Sequence, residues 1–273
     1  MKPEAARSLL FVPGNRADRF GKAAASGADL VLCDLEDAVA PPDKESARAE
    51  VAAWAAGHPA AVRINAADTP WYDDDLAVLA EAPGLAAVVL PKADSIPALR
   101  ATIARLPDGV ALFALLESAR GVRDADQIAE LPGVTRLVFG NVDFGLDTGV
   151  TVTDAAEREL LYARSRLVVA SRAAGLAAPV DGVTTDLYDV ALTRDAARAA
   201  RNLGFGGKLC LHPKQVDAVN AAFSPDEEEL RWARRVLEAA EESGGAAVRV
   251  DGEMIDKPRV ELARRLLGGF GGE

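Results

Sequence analysis

The chain of 273 residues is poor in the residue types that build disulfide frameworks and histidine-based metal centres. It contains two cysteines, Cys33 and Cys210, and two histidines, His58 and His212. Each cysteine lies inside an apolar run, so the simplest interpretation is a small buried thiol in a strand. Two lone cysteines give neither a disulfide framework nor a zinc site, and two histidines leave little room for histidine-based metal binding.

Long apolar runs and an excess of basic charge are also missing. No apolar run approaches the roughly 20 residues that a membrane span needs, and the N-terminal segment lacks the long apolar stretch of a signal peptide. Acidic residues outnumber basic ones 42 to 31, for a formal charge of −11, which argues against nucleic acid as the main partner. We therefore expect a cytoplasmic protein with no membrane and no nucleic-acid partner.

Short apolar runs alternate with helical patterns along most of the chain. The apolar runs are residues 8–13, 30–37, 60–66, 86–93, 111–118, 136–143, 177–183 and 208–213. The helical patterns are residues 16–26, 43–56, 71–81, 95–105, 121–130, 154–174, 187–202 and 214–223. Such alternation indicates parallel βαβ units, and eight units in about 220 residues predict a (β/α)8 TIM barrel. A doubly wound open sheet is the alternative, disfavoured because the first βα turn, PGNR at residues 13–16, is not a G-x-G-x-x-G fingerprint.

The barrel is predicted to occupy residues 1–223, and residues 224–273 are predicted to form a C-terminal helical extension of the same domain. The extension starts with Ser224 and Pro225, which fit a helix N-cap and the first helical position. Its first helix is expected to run to about Glu242, and a last helix is expected to start at Lys257 or Pro258.

Polar side chains gather where the predicted strands end, whereas the strand starts are small or apolar. They are Asn15, Arg16, Asp34, Glu36, Asp37, Arg63, Asn65, Lys92, Glu117, Asn141, Asp143, Asp181 and His212. Barrel enzymes carry their chemistry on the loops that follow the strands. Solvation alone explains a one-sided enrichment poorly, because both rims of a barrel meet water. We therefore predict the active site at this end.

Glu117 and Asp143 each follow an apolar run on successive predicted strands. Two carboxylates at the ends of neighbouring parallel strands would point into one cleft, and hard oxygen ligands suit Mg²⁺. Each acid also has a simpler interpretation. Glu117 would be favoured near a helix N-terminus, and Asp143 would cap the turn towards Gly145. Because the two occur together, metal binding is the preferred hypothesis.

Two basic residues and two further acids complete the predicted site. Arg63 lies inside an apolar run, where charge is costly unless it is paired. Its planar fork suits carboxylates and enolate-like oxygens, so we predict substrate contact, with a structural ion pair as the alternative. For Lys92, a Schiff-base role is less favoured than ion pairing, because nearby acids would hold it protonated. Asp34 and Glu36 share one strand face and are expected to bind metal-bound waters or neighbouring basic side chains.

Eight short motifs occur in order along nearly the whole chain. They are LFVPGNR (10–16), LCDLEDAV (32–39), VRIN (62–65), VLPK (89–92), LESARG (116–121), FGNVD (139–143), LHP (211–213) and GEMID (252–256). In these motifs the chain resembles the citrate lyase β-subunit-like proteins of the HpcH/HpaI aldolase superfamily. The resemblance implies a TIM barrel that forms trimers or hexamers and uses Mg²⁺. It also implies cleavage or formation of a C–C bond in a β-hydroxyacyl thioester such as citryl-CoA, citramalyl-CoA or malyl-CoA.

The resemblance also carries roles to single positions. Glu117 and Asp143 match the metal ligands of the family, and Arg63 matches the arginine at the reacting carbonyl. Asp256 matches an acid of the C-terminal segment that reaches a neighbouring subunit's active site, which makes Arg63 and Asp256 the candidate catalytic residues. Without the resemblance, Asp256 would be interpreted as a helix N-cap before Pro258.

Two departures from the family pattern concern the substrate. Many members carry an acid immediately before the metal-binding aspartate, where this chain has Val142, so the substrate is not inferred from those members. The short C-terminal extension disfavours the larger malyl-CoA lyase form with its extended lid. Arg16, on the first βα turn, is a candidate for binding a CoA phosphate, and a solvated arginine is the alternative.

The working hypothesis is a metal-assisted retro-Claisen or retro-aldol cleavage, with a small keto or hydroxy acid and an acyl-CoA as ligands. Three alternatives stay open at this point. The first is a malate-synthase-like transferase with thioester hydrolysis. The second is a pyruvate aldolase that needs no CoA. The third is a citrate lyase subunit whose substrate is presented by an acyl-carrier partner.

Overall fold

Eight parallel strands close into a barrel in this computed structural model, which describes residues 2–244 and 246–268. The strands are β1 (Ser8–Pro13), β2 (Leu30–Asp34), β3 (Ala60–Arg63), β4 (Leu85–Leu90), β5 (Ala111–Leu116), β6 (Val134–Phe139), β7 (Val180–Asp181) and β8 (Gly207–Cys210). Each strand pairs with the next one along the chain, and β8 pairs with β1, where Leu9 is the partner of Leu209. The predicted TIM barrel is confirmed.

Helices connect the strands and cover the outside of the barrel. They are α1 (Ala17–Ala24), α2 (Lys44–Ala55), α3 (Tyr72–Leu79), α4 (Ile96–Ile103), α5 (Ala119–Arg123), α6 (Ala125–Ala129), α7 (Asn141–Thr148), α8 (Leu161–Ala173), α9 (Val190–Leu203) and α10 (Pro213–Ala222). The helix predicted at residues 121–130 is divided into α5 and α6. None of the described helices is both long enough and apolar enough to cross a membrane.

Apolar side chains pack on both faces of each barrel strand. Leu9, Leu32 and Phe113 belong to the cluster inside the barrel, whereas their chain neighbours Leu10 and Cys33 belong to the layer between the strands and the helices. Alternate residues of a strand point to opposite faces, and here both faces are buried. For this reason the strands appear in the sequence as continuous apolar runs rather than as alternating patterns.

Asp181, at the end of β7, lies in the outer layer rather than inside the barrel. Its chain neighbour Val180 belongs to the inner cluster, so the Asp181 side chain points towards α8 and β8. Its Oδ2 accepts a hydrogen bond from Lys208 Nζ at 2.7 Å, and its Oδ1 accepts one from Arg164 Nε at 2.8 Å. Burial raises the pKa of Asp181, but the two cations outweigh burial and hold the pKa below its ordinary value. The buried ion group therefore joins β7, β8 and α8.

Removing this carboxylate should destabilise the barrel strongly. We expect Asp181→Ala to lower the free energy of unfolding by about 3–5 kcal/mol, because the buried Lys208 loses the carboxylate it pairs with and the buried Arg164 keeps only its ion pair with Glu157. Urea unfolding followed by circular dichroism measures the change. Asp18→Asn is the control, because it breaks only an exposed pair with Arg16 and should leave the unfolding midpoint unchanged. A loss in Asp181→Ala no larger than that of the control would contradict the interpretation.

A second compact unit begins at Ser224, immediately after the first unit ends at Phe223. It contains two helices and a two-stranded antiparallel hairpin, with a small apolar core of its own that includes Val236 and Ile255. Its elements are α11 (Glu227–Glu242), β9 (Val248–Val250), β10 (Glu253–Ile255) and α12 (Lys257–Gly268). That this extension contacts a neighbouring subunit stays a prediction.

The predicted start of α11 is wrong by two residues. Asp226, not Ser224, is the N-cap, because its side chain accepts a hydrogen bond from the Glu229 N–H at 2.8 Å. The Glu229 carboxylate in turn accepts a hydrogen bond from the Asp226 N–H at 2.9 Å. This reciprocal capping box satisfies two backbone donors.

Candidate active site and metal centre

Glu117 follows β5 at the carboxyl end of the barrel and is almost fully buried, with 4% of its surface exposed. Its Oε1 accepts a hydrogen bond from the backbone N–H of Lys92 at 2.8 Å. Burial, followed by the charges of Glu36 and Asp143, raises the pKa of Glu117 to about 7. A buried carboxylate that is repelled by neighbouring acids would be stabilised by a cation.

Gly140, directly after β6, leaves the space that the Glu117 side chain occupies. A Cβ atom at Gly140 would lie 2.5 Å from the Glu117 Cβ and 2.6 Å from its Oε2. Both distances are shorter than van der Waals contact allows, so any other residue at this position would displace the carboxylate. Gly140 is not among the site residues predicted from the sequence.

We expect Gly140→Ala to move Glu117 out of position and to weaken Mg²⁺ binding by about tenfold or more, as is usual for residues that support a ligand. Isothermal titration calorimetry measures the affinity. Gly21→Ala on α1 is the matched control, because a Cβ there meets no atom within 4 Å. Equal Mg²⁺ affinities of the wild-type protein and Gly140→Ala would contradict the supporting role of Gly140.

Asp143 lies in the first turn of α7, not at the end of a strand as predicted. The helix begins at Asn141, within the predicted strand, and the Asn141 side chain binds the segment that follows β7. The Asn141 Oδ1 accepts a hydrogen bond from the Val183 N–H at 2.8 Å, and its Nδ2 donates one to the Val183 carbonyl at 3.0 Å. In this position the half-buried Asp143 is close enough to raise the pKa of Glu117. The helix N-terminus also favours a carboxylate there.

Arg63, the last residue of β3, forms ion pairs with Asp34, the last residue of β2, and with Glu36 in the loop after it. Its Nε and Nη2 each lie 2.7 Å from an oxygen of Asp34, and its Nη1 lies 3.0 Å from Glu36 Oε2. The guanidinium is 4.9 Å from the ring centre of Phe11. Burial lowers the pKa of Arg63, but the two acids raise it above its ordinary value. The ion pair considered for Asp34 is thus present, and contact of Arg63 with substrate stays a prediction.

Lys92 connects two of the acids through different groups. Its Nζ lies 2.5 Å from Glu36 Oε1, while its backbone N–H binds Glu117. Its φ of 48° is in the left-handed region, which is uncommon for a residue with a side chain and is found at functional sites. Burial lowers the pKa of Lys92, but Glu36 raises it above its ordinary value. The side chain is therefore held protonated, which disfavours a Schiff-base nucleophile.

Six charged residues at the carboxyl end of the barrel form a group that we call the acid cluster, and its carboxylates outnumber its cations. Its members are Asp34, Glu36, Arg63, Lys92, Glu117 and Asp143. An excess of negative charge in a buried cleft suits a divalent cation. Within the part of the chain that the structure describes, no three His, Cys, Asp or Glu side chains are arranged as ligands. Two carboxylates with water or ligand oxygens in the other positions are the usual arrangement for Mg²⁺.

Two predicted residues have other contacts. Arg16 is half-buried and forms a bidentate ion pair with Asp18, with both N–O distances at 2.8 Å. Asp256 belongs to the second unit, where its side chain accepts a hydrogen bond from the Arg259 N–H at 3.3 Å at the start of α12. The N-cap expected from the sequence is therefore present. The roles of Arg16 at a CoA phosphate and of Asp256 in catalysis stay predictions.

The arrangement at the carboxyl end of the barrel agrees with a comparison against known families. A model of HpcH/HpaI aldolase/citrate lyase matches residues 7–213. The chain belongs to this family. The match spans the barrel strands and every member of the acid cluster, so the motif-based prediction of the family is confirmed.

Similar proteins in this family carry more than one activity in their names. The citrate lyase subunit beta-like protein of Deinococcus radiodurans is 38% identical over 284 residues, covering 97% of each chain. A (3S)-malyl-CoA thioesterase of Cereibacter sphaeroides is 35% identical over 270 residues, covering 96% of this chain and 93% of the relative. Among solved structures, CitE of Mycobacterium tuberculosis, in complex with magnesium, acetoacetate and coenzyme A, is 34% identical with a TM-score of 0.83. That match covers 97% of this chain and 98% of the other.

Proposed function

We propose that this protein is a Mg²⁺-dependent carbon–carbon lyase that cleaves or forms a β-hydroxyacyl thioester such as citryl-CoA, citramalyl-CoA or malyl-CoA. The observation that carries the proposal is the acid cluster, in which the buried Glu117 and the nearby Asp143 lie beside a cationic Arg63 at the active end of a barrel. The structure of CitE with magnesium, acetoacetate and coenzyme A supports both the metal and the ligand class.

Glu117 and Asp143 are the residues that would hold Mg²⁺. The backbone N–H of Lys92 donates to Oε1 of Glu117 and orients the carboxylate, whose Oε2 lies next to Gly140. Bound there, the ion would polarise the carbonyl of the acid fragment and orient that fragment for reaction. This donor set of two carboxylates, with room for substrate oxygens, fits Mg²⁺.

The remaining residues act on charge and on protons. Cleavage of the C–C bond leaves a carbonyl on the acid fragment and an enolate on the acyl thioester, and the hydroxyl proton passes to a base. Arg63, oriented by Asp34, would stabilise the negative charge that develops on the enolate. Asp256 of a neighbouring subunit would return a proton to the enolate carbon. Lys92 would bind the carboxylate of the acid fragment, and Arg16 would bind a CoA phosphate.

We propose that the protein is cytoplasmic and forms a homotrimer or a hexamer.

Thioester hydrolysis is a second candidate, favoured by the similarity to (3S)-malyl-CoA thioesterases. The two activities give different products from one substrate. A lyase converts malyl-CoA into glyoxylate and acetyl-CoA, whereas a thioesterase converts it into malate and free CoA. Chromatography of the products therefore separates the two candidates.

Calorimetric titration tests the proposal directly. Mg²⁺ is titrated first, and pyruvate, oxaloacetate and glyoxylate follow in turn, with and without acetyl-CoA. Binding of one keto acid that requires Mg²⁺ and is strengthened by acetyl-CoA is the expected result. If the affinity for a keto acid is the same with and without acetyl-CoA, the result would favour a CoA-independent aldolase. Binding of the metal without any of these acids would contradict the proposed substrate class and favour a subunit that needs an acyl-carrier partner.

A further inference from the structure

Lys44, the first residue of α2, is buried and uses all three hydrogens of its ammonium group. Its Nζ donates to the carbonyl of Leu35 at 2.6 Å, to the carbonyl of Glu36 at 2.7 Å and to Asn65 Oδ1 at 2.6 Å. Three acceptors match the three donors of a protonated lysine. Two of the acceptors are consecutive backbone carbonyls of the loop that carries Glu36 into the acid cluster.

The backbone of Glu36 is held on both sides by these contacts. Its N–H donates to Asp34 Oδ1 at 3.0 Å. Its carbonyl accepts hydrogen bonds from Lys44 and from the Val39 N–H, the latter at 3.1 Å. The peptide groups on both sides of the Glu36 Cα are therefore held, which sets the direction of its Cα–Cβ bond. The Glu36 carboxylate is thereby directed at Arg63 and Lys92.

A chain of buried polar groups extends from Lys44 into the surrounding helices. The Asn65 Nδ2 donates to Asp75 Oδ2 at 2.6 Å, and the Asn65 N–H donates to the same oxygen at 2.9 Å. Asp75, on α3, accepts a further hydrogen bond from Arg48 Nε on α2 at 2.7 Å. Lys44 is therefore anchored to two helices as well as to the loop.

We propose that Lys44 is a positioning residue of this active site, which fixes the loop after β2 so that Glu36 holds Arg63 and Lys92 in place. Burying a lysine is costly unless its charge and hydrogen bonds are satisfied. Two of the three acceptors that Lys44 satisfies, the carbonyls of Leu35 and Glu36, belong to the loop that carries Glu36 into the acid cluster. The proposal goes beyond the proposed function, because it concerns the geometry of the cluster whichever reaction takes place there.

Hydrogen-exchange mass spectrometry of the full-length, metal-free protein tests this role. We expect Lys44→Met to speed amide exchange in residues 35–39 by about tenfold or more relative to β3, because the loop opens locally without global unfolding. Lys208→Met is the matched control. Lys208 is also buried and also binds a loop carbonyl, that of Gly182, at 2.8 Å, and among the described residues its ammonium group binds Asp181 and Gly182 rather than the loop after β2. In Lys208→Met, amide exchange in residues 35–39 relative to β3 should match that of the wild-type protein.

Amide exchange in the wild-type protein and an activity assay of the variant test the proposal further. In the wild-type protein the amides of residues 36, 38 and 39 should exchange nearly as slowly as those of β3, a result that needs no variant to fold. In an activity assay, Lys44→Met should lower kcat/KM by about tenfold or more, because Arg63 acts on charge that develops in the transition state and Lys92 on the carboxylate of the acid fragment. Unchanged exchange in the variant, or a loop that exchanges freely in the wild type, would overturn the proposal. Absence of lyase activity would overturn the proposed function and leave the exchange result standing.

Discussion

Glutamine in place of Glu117 is expected to abolish Mg²⁺-dependent turnover while leaving the fold intact. Glutamine keeps the size of glutamate and an oxygen that accepts the hydrogen bond from the Lys92 N–H. It removes the charge that would bind the metal, so Mg²⁺ affinity should fall by about a hundredfold or more. Because the carboxylate of Glu117 is repelled by Glu36 and Asp143, its removal should not destabilise the metal-free protein at pH 8.

Three measurements on the same preparation separate these effects. Calorimetry gives the Mg²⁺ affinity, product formation from malyl-CoA gives turnover, and urea unfolding gives stability. Glu45→Gln is the matched control, because it removes one carboxylate from the exposed side of α2 and should change none of the three. Full turnover in Glu117→Gln would remove the assignment of Glu117 as a metal ligand.

In the metal-free protein, Glu117 should also make stability fall as the pH rises. Its pKa is about 7 in the folded protein against an ordinary value of 4.5. Between these values the folded state binds a proton that the unfolded state has released, so the unfolding free energy decreases with increasing pH. The contribution is greatest below pH 4.5 and is lost as the pH rises through 7. From pH 5 to pH 8 the loss should be about 2–3 kcal/mol.

Urea unfolding at several pH values measures this dependence, and Glu117→Gln isolates the part that comes from Glu117. The difference in unfolding free energy between the wild-type protein and the variant should change by the stated amount between pH 5 and pH 8. Saturating Mg²⁺ should reverse the fall in the wild-type protein, because the ion binds the ionised carboxylate of the folded state. A difference that is constant across this pH range would show that Glu117 is not a carboxyl group with a raised pKa.

The sequence by itself determined the barrel and predicted that the polar residues of the candidate site gather at the carboxyl ends of its strands. Both faces of the barrel strands are buried, so most of the eight strands left a largely apolar run that periodicity could locate. The sequence predicted Glu117 and Arg63 as site residues, because a charged side chain next to an apolar run costs free energy unless it is paired. The family followed from motifs that occur in order along the chain.

Only the tertiary structure decided which partner each polar group has. Asp143 was expected at a strand end, but the hydrogen bonds between Asn141 and Val183 start a helix before it. Asp181 lies at the carboxyl end of a strand as Glu117 does, yet its side chain points outwards to Lys208. Lys44, at the start of a helix, left no signal because its acceptors are two backbone carbonyls and an asparagine. Hydrogen bonds between segments distant in sequence depend on which groups the fold brings within about 3 Å, and no local pattern records that distance.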